Sequence, residues 1–227
     1  EIDATDPALC IPPAQALGRI YAAQGAHESL AEVLGIEVRL ESNPVTRRAL
    51  YERIGTLYET VLGDNARASG AWKSRLADDA TDMDALAALE RLHERSGNWR
   101  DLVEVLRARE QNTTDAVERR RTMTKAAETL AGQLGDVPEA ILAWRAVVDD
   151  LGPERPTLAA LETLYEKAER WSDLAETLEV DLSLAEETAD QLDLQARLGD
   201  VRRLHQHDLP GALEAYRQAL LLDPSNA

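Results

Sequence analysis

Leu89, Leu92 and His93 fall at the three- and four-residue steps of one helix face, and the run breaks at Ser96-Gly97-Asn98. Asn98 stands where an N-cap is expected, with Asp101 three residues on, and Leu102, Val105 and Leu106 open a second apolar stripe. Further along, Gly135 closes a helix, Asp136 caps the next, and Pro138 falls in its first turn. Ala140, Ile141, Trp144, Val147 and Val148 then form its apolar face. Continued along the chain, this pattern predicts about twelve helices joined by links of about two to six residues, short enough to force antiparallel neighbours. Sustained alternation of apolar and polar residues, the mark of a strand, occurs nowhere.

The pattern also repeats. LGDNARASGAW ending at Trp72, LGDVPEAILAW ending at Trp144 and QHDLPGALEAY ending at Tyr216 are spaced by 72 residues. A second kind of hairpin starts at Ala16, Ala88 and Ala160 with the same spacing. We call the first kind type A and the second type B; three copies of each alternate. A single hairpin cannot bury its own apolar face, whereas stacked hairpins share a continuous core. Small residues at Ala68, Ala140 and Ala212 let facing helices approach, with Trp72, Trp144 and Tyr216 filling the layers between.

Composition narrows the function. With 42 acidic against 25 basic residues the net charge is −17, which disfavours a general nucleic-acid binder or adhesion to an anionic membrane. One cysteine, Cys10, excludes an internal disulfide and a Cys-based metal site. No apolar run is long enough to span a bilayer, no cofactor motif is present, and nothing in the sequence fixes a compartment.

Motifs that could carry chemistry read as structural. Asp78-Asp79-Ala80-Thr81-Asp82 has the spacing of a DDxxD magnesium motif, but it straddles a helix end and Asp82 is placed to cap the next helix. His205 and His207 are two apart and share no helix face; His93 replaces the tyrosine of sister hairpins (Tyr21, Tyr165), and His27 aligns with Trp99 and Trp171. Arg119-Arg120-Arg121 reads as a solvated helix start. The stretch from Asp173 to Asp190, with seven carboxylates and no basic residue, reads as solvated helix faces.

The hairpins resemble tetratricopeptide repeats. Ala212, Tyr216, Ala219 and Pro224 match that family's signature types at its spacing, as do Leu17 with Tyr21, Leu89 with His93, and Leu161 with Tyr165. Type B departs from the pattern: Leu30, Leu102 and Leu174 stand where a small residue is usual, and Glu37, Arg109 and Asp181 replace another. The resemblance implies an all-α, right-handed α-solenoid of about six antiparallel hairpins, with wider helix spacing in type B. It covers nearly all of residues 1–227 as one domain, with hairpins at 12–42, 44–80, 83–112, 115–152, 155–186 and 189–225. EIDATDPA and LLDPSNA resemble hairpin tails, so the chain reads as a piece of a longer array, in the style of large bacterial repeat scaffolds.

The resemblance further implies a non-catalytic scaffold holding a protein or peptide in the concave groove lined by the first helix of each hairpin. Arg53, Lys125 and Arg197 repeat at 72 residues in type A; Arg19 and Arg91 share one type B position, and Arg95 and Lys167 another. Together they would form a basic stripe suited to an acidic peptide, unless they pair with the repeat's own glutamates. Homo-assembly through terminal hairpins is the alternative. An all-α toroid enzyme is the third reading, for which the links are short and aromatic-poor.

Overall fold

The computed structural model describes residues 7–223. Pro224 and the tails at 1–6 and 224–227, which the sequence reading used, lie outside the described residues. Every regular element is helical: α1 (Pro7–Gln24), α2 (His27–Leu40), α3 (Pro44–Leu57), α4 (Asn65–Asp78), α5 (Met83–Ser96), α6 (Trp99–Asn112), α7 (Ala116–Glu128), α8 (Val137–Leu151), α9 (Arg155–Lys167), α10 (Trp171–Leu184), α11 (Thr188–Leu204) and α12 (Leu209–Leu222). Two π-helical turns, Tyr58–Leu62 and Thr129–Gln133, extend α3 and α7.

The chain divides into two compact units, Glu1–Asn112 and Thr113–Ala227. Each holds three antiparallel hairpins: α1/α2, α3/α4 and α5/α6 in the N-terminal unit, α7/α8, α9/α10 and α11/α12 in the C-terminal unit. Within each unit, successive hairpins pack in chain order through α2·α3 and α4·α5, or α8·α9 and α10·α11.

Each hairpin turn passes through one residue in the left-handed region, and these residues keep the 72-residue period. Type B turns do so at Gly25, Gly97 and Glu169 (φ 67, 68 and 54°), type A turns at Gly63, Gly135 and His207 (φ 66, 65 and 57°). Glycine adopts this conformation without a Cβ clash; glutamate and histidine do so at a cost. In type A the very next residue caps the second helix: Asp64, Asp136 and Asp208 accept from the backbone N–H three residues on.

The predicted layers close around Trp72 and Trp144, whereas Tyr216 is only half-buried. Ala68, Ala140 and Ala212 are buried, as are Trp72 and Trp144. In the N-terminal unit Trp72 packs among Leu86, Leu89, Leu92 and Val105. Leu30, Leu102 and Leu174 are core residues, so the bulkier type B position is used for packing.

The other departing position carries buried charge. Glu37, beside Gly18, has its pKa raised by burial against the opposing pull of Arg53. Arg109 bonds Glu90, and Asp181 takes Arg155 at 2.8 Å. At Arg109 and Asp181 the side chain that breaks the repeat pattern thus pairs with a residue on the other helix of its own hairpin.

Candidate functional site

The seven cations differ in their surroundings. On the N-terminal unit, α5 carries Arg91 and Arg95, both directed at Glu59 in the π turn after α3. Arg91 donates to both carboxylate oxygens at 2.8 and 2.9 Å, and Arg95 lies 3.5 Å away while donating to Asn65 at 2.6 Å. Hydrogen bonding from Arg91 holds the Glu59 carboxyl below the ordinary glutamate value, against the effect of burial. On the C-terminal unit, Arg197 of α11 donates to Glu162 at 2.7 Å and Glu166 at 3.1 Å, both on α9. Lys125, in the last turn of α7, is also engaged.

Arg19, Arg53 and Lys167 are exposed and make no ion pair among the described residues. The repeat register explains the last two. Arg197 finds its glutamates 35 and 31 residues upstream; the same offsets from Arg53 give Gly18 and Ala22. Lys167 occupies the place of Arg95, but the counterparts of Glu59 and Asn65 are Ala131 and Val137.

Each of these two cations borders a depression. Arg53 lines one of about 490 Å³ in the N-terminal unit, with Leu30, Leu57, Thr56, Thr60, Val61 and the carboxylate of Glu52. Lys167 lines a larger one of about 580 Å³ in the C-terminal unit, between α7 with its π turn and α9. Its wall is Trp144, Ala131, Gly132, Ala160 and Leu164, and its polar margin is Thr124, Thr157, Thr163, Glu128 and Glu154. Glu154 is already held by Arg120 at 3.3 Å.

The equivalent place in the N-terminal unit, between α3 and α5, is crossed by ion pairs. Arg91 and Arg95 meet Glu59 at one end, and buried Arg75 binds Asp82 at 2.7 and 3.1 Å and Glu52 at 2.9 Å at the other. In the C-terminal unit Glu59, Arg91 and Arg75 become Ala131, Thr163 and Val147. Removing the bridging side chains leaves a largely apolar groove whose charged margin is Lys167 and Glu128, with Glu154 held by Arg120. Sequence reading picked out Lys167 but missed Trp144, Ala131, Gly132 and Leu164 as groove residues. Comparing Ala131 with Glu59 in register was the signal.

The remaining candidates are spent on structure. Asp78, Asp79 and Asp82 go to three different arginines: Arg47 at 2.8 Å, Arg48 at 2.9 Å, and Arg75. In the basic run, Arg119 pairs with Asp150, and Arg120 donates to the carbonyls of Leu151 and Gly152 at the end of α8. This is more than a solvated helix start. The acidic stretch is likewise engaged: Asp173 with Arg170, Asp181 and Asp190 with Arg155, and Glu179 with Arg202. His93 is buried, and burial pushes its pKa below the ordinary value against the pull of Asp101. His205 stacks on Trp171 with ring centres 3.6 Å apart. No helix among the described residues is long and apolar enough to cross a membrane.

The tetratricopeptide-repeat profile matches residues 85–113 and 157–192, which are the second and third type B hairpins. No curated protein matches the sequence significantly. Among solved structures, the chain is similar to residues 41-end of MamA from Desulfovibrio magneticus RS-1, at 17% identity over 79% of this chain and 96% of that one, TM-score 0.41. It is similar to PilF of Pseudomonas aeruginosa at 15% identity over 96% and 94%, TM-score 0.41. A third similarity is to the C-terminal part of a TPR repeat-containing protein from Cytophaga hutchinsonii, at 14% identity over 98% and 85%, TM-score 0.41.

Proposed function

We propose that this tetratricopeptide-like array of helical hairpins is a non-catalytic scaffold that binds a partner protein through an apolar segment bearing a carboxylate. The segment's apolar side chain sits against Trp144, Ala160 and Leu164, and its carboxylate pairs with Lys167. The Arg53 depression, taken by itself, pairs an apolar wall with Arg53 and also with Glu52, which is held by Arg75. One observation carries the reading: Lys167 makes no ion pair where a depression is open, while Arg91, Arg95 and Arg197 are paired with carboxylates of neighbouring elements. An acidic ligand group supplies the missing partner, and the apolar wall supplies most of the anchoring energy.

The test is capture of partners from the source lysate by wild type beside Lys167→Glu and Arg53→Glu, with Arg91→Gln as the control. Captured partners are then titrated as purified proteins against each variant, with circular dichroism verifying the helical fold. Loss of one partner with Lys167→Glu or Arg53→Glu, and its retention by Arg91→Gln, supports the reading. Equal capture by all four proteins overturns it.

A further inference from the structure

The α7–α9 groove holds a second charge that an occupant has to meet. Glu128, the last residue of α7, lines the same depression as Lys167, the last residue of α9. Both are exposed, and the Glu128 carboxylate, like the Lys167 ammonium, makes no ion pair among the described residues. The two charges stand at one apolar margin without neutralising each other.

The repeat register places them. Arg91 and Arg95 both reach Glu59 in the N-terminal unit, so in the same register Thr163 and Lys167 stand opposite Ala131. Glu128 precedes Ala131 by three residues, about one turn or about 5 Å along the helix axis. The carboxylate and the cation therefore belong to facing helices, one turn apart, over a wall that includes Trp144, Ala160 and Leu164. No sister hairpin among the described residues repeats the arrangement. The counterparts of Glu128 are Thr56, which is uncharged, and Asp200, which accepts from Tyr216 at 2.7 Å and Arg203 at 3.3 Å. The counterpart of Lys167 is Arg95, already met by Glu59 and Asn65.

A segment that covers the apolar wall takes water from both charges. Were it to bring only an acid, Lys167 would be paired while Glu128 lost its water and gained nothing, which offsets the gain. The chain's net charge of −17 also repels a segment of net negative charge. We infer, on the reading that this groove holds a partner, that the bound segment is amphoteric. It carries an acidic residue for Lys167 and a basic residue for Glu128, on either side of an apolar residue seated against Trp144. An extended chain suits this arrangement: it advances about 3.3 Å per residue, so charges a few residues apart bridge the one-turn offset.

The test is selection from a random peptide display library, with wild type, Glu128→Gln, Lys167→Gln and the charge-swapped Glu128→Lys/Lys167→Glu protein as baits. Both residues are exposed, and circular dichroism verifies that each bait is helical. Wild type should enrich peptides with an acidic and a basic residue flanking an apolar one. Glu128→Gln should lose the basic preference and keep the acidic one, Lys167→Gln should do the reverse, and the swapped protein should enrich the opposite charge order. A peptide enriched by wild type, once synthesised, should bind each single variant about tenfold more weakly. Enrichment of acid without base by wild type, or a basic preference that survives Glu128→Gln, overturns the inference and leaves the acidic-partner reading standing. Enrichment by wild type of peptides without an acid, or of no peptide at all, overturns both.

Discussion

Gly55 lies directly against the indole of Trp72: a Cβ built on it would sit 2.6 Å from Nε1 and 2.8 Å from Cε2. Gly199 bears the same relation to Tyr216, at 2.5 Å from Cε1. Between them in the repeat, Ala127 stands at this place opposite Trp144, and both are buried. Glycine at 55 and 199 is therefore a packing choice, made where the aromatic ring lies down on the facing helix. Gly55→Ala should destabilise the chain by about 1–2 kcal/mol, because overpacking outweighs the gain in helix propensity. Urea unfolding followed by circular dichroism reads this directly; a stabilised variant would mean that the indole shifts freely.

Glu169 and His207 hold the left-handed conformation that glycine holds at the other four hairpin turns. Glu169→Gly should stabilise the chain by about 0.5–1 kcal/mol, since relief of the Cβ clash exceeds the added entropy of the unfolded chain. The same substitution at the exposed helical residue Glu166 should do the opposite, by about 1 kcal/mol. Thermal midpoints of the two variants, moving in opposite directions, check the pair.

How much of this was legible in the sequence depends on distance along the chain. Asp64, Asp82 and Asp136 are recognisable as caps because each bonds a backbone N–H only three residues away. The hairpin turns at Glu169 and His207 emerge only from the period, since neither residue type marks a turn by itself. The ion pairs were not legible: Arg47 with Asp78, Arg91 with Glu59 and Arg197 with Glu162 lie 31 to 35 residues apart and exist only once neighbouring hairpins stack. The seven cations therefore looked equivalent in sequence. Whether each is free depends on a carboxylate one hairpin away, and that depends on packing register.

Arg75 and Asp82 form a buried pair whose removal should be felt in both stability and pH response. Burial pushes the Asp82 carboxyl up, but hydrogen bonds from Arg75 and the Ala85 N–H, with the Arg75 charge, hold it below the ordinary value. Because the folded value is the lower one, the pair contributes stability above the ordinary aspartate value of 3.8, and this is lost as pH falls through the folded value. Arg75→Met leaves a buried carboxylate unpaired and should cost about 3–5 kcal/mol at neutral pH. Adding Asp82→Asn should recover part of that loss, measured by urea midpoints at pH 7 and pH 3.

Glu162 has the opposite sign. Burial raises its pKa more than the charge and hydrogen bond of Arg197 lower it, and Oε1 is buried without a partner. A carboxyl whose folded value is raised contributes stability below its ordinary value of 4.5, and that contribution is lost as pH rises through the folded value. Glu162→Gln removes this dependence. The stability difference between Glu162→Gln and wild type should therefore shift in favour of the variant from pH 4 to pH 7, by urea unfolding at each pH. A constant difference would mean that Arg197 compensates fully for burial.

The comparison between the two units predicts that a groove can be opened or closed by residues 72 positions apart. Ala131→Glu with Thr163→Arg writes the Glu59–Arg91 pair into the C-terminal unit and gives Lys167 a carboxylate partner. The double variant should remain helical and lose the partner proposed for Lys167. Conversely, Glu59→Ala removes the carboxylate that neutralises Arg91 and Arg95. It should leave two cations free beside Leu92 and give the N-terminal unit a new affinity for the same partner. Binding isotherms for the two variants decide the matter: if filling the α7–α9 groove leaves affinity intact, the partner is held on another face, whatever the charge on Lys167.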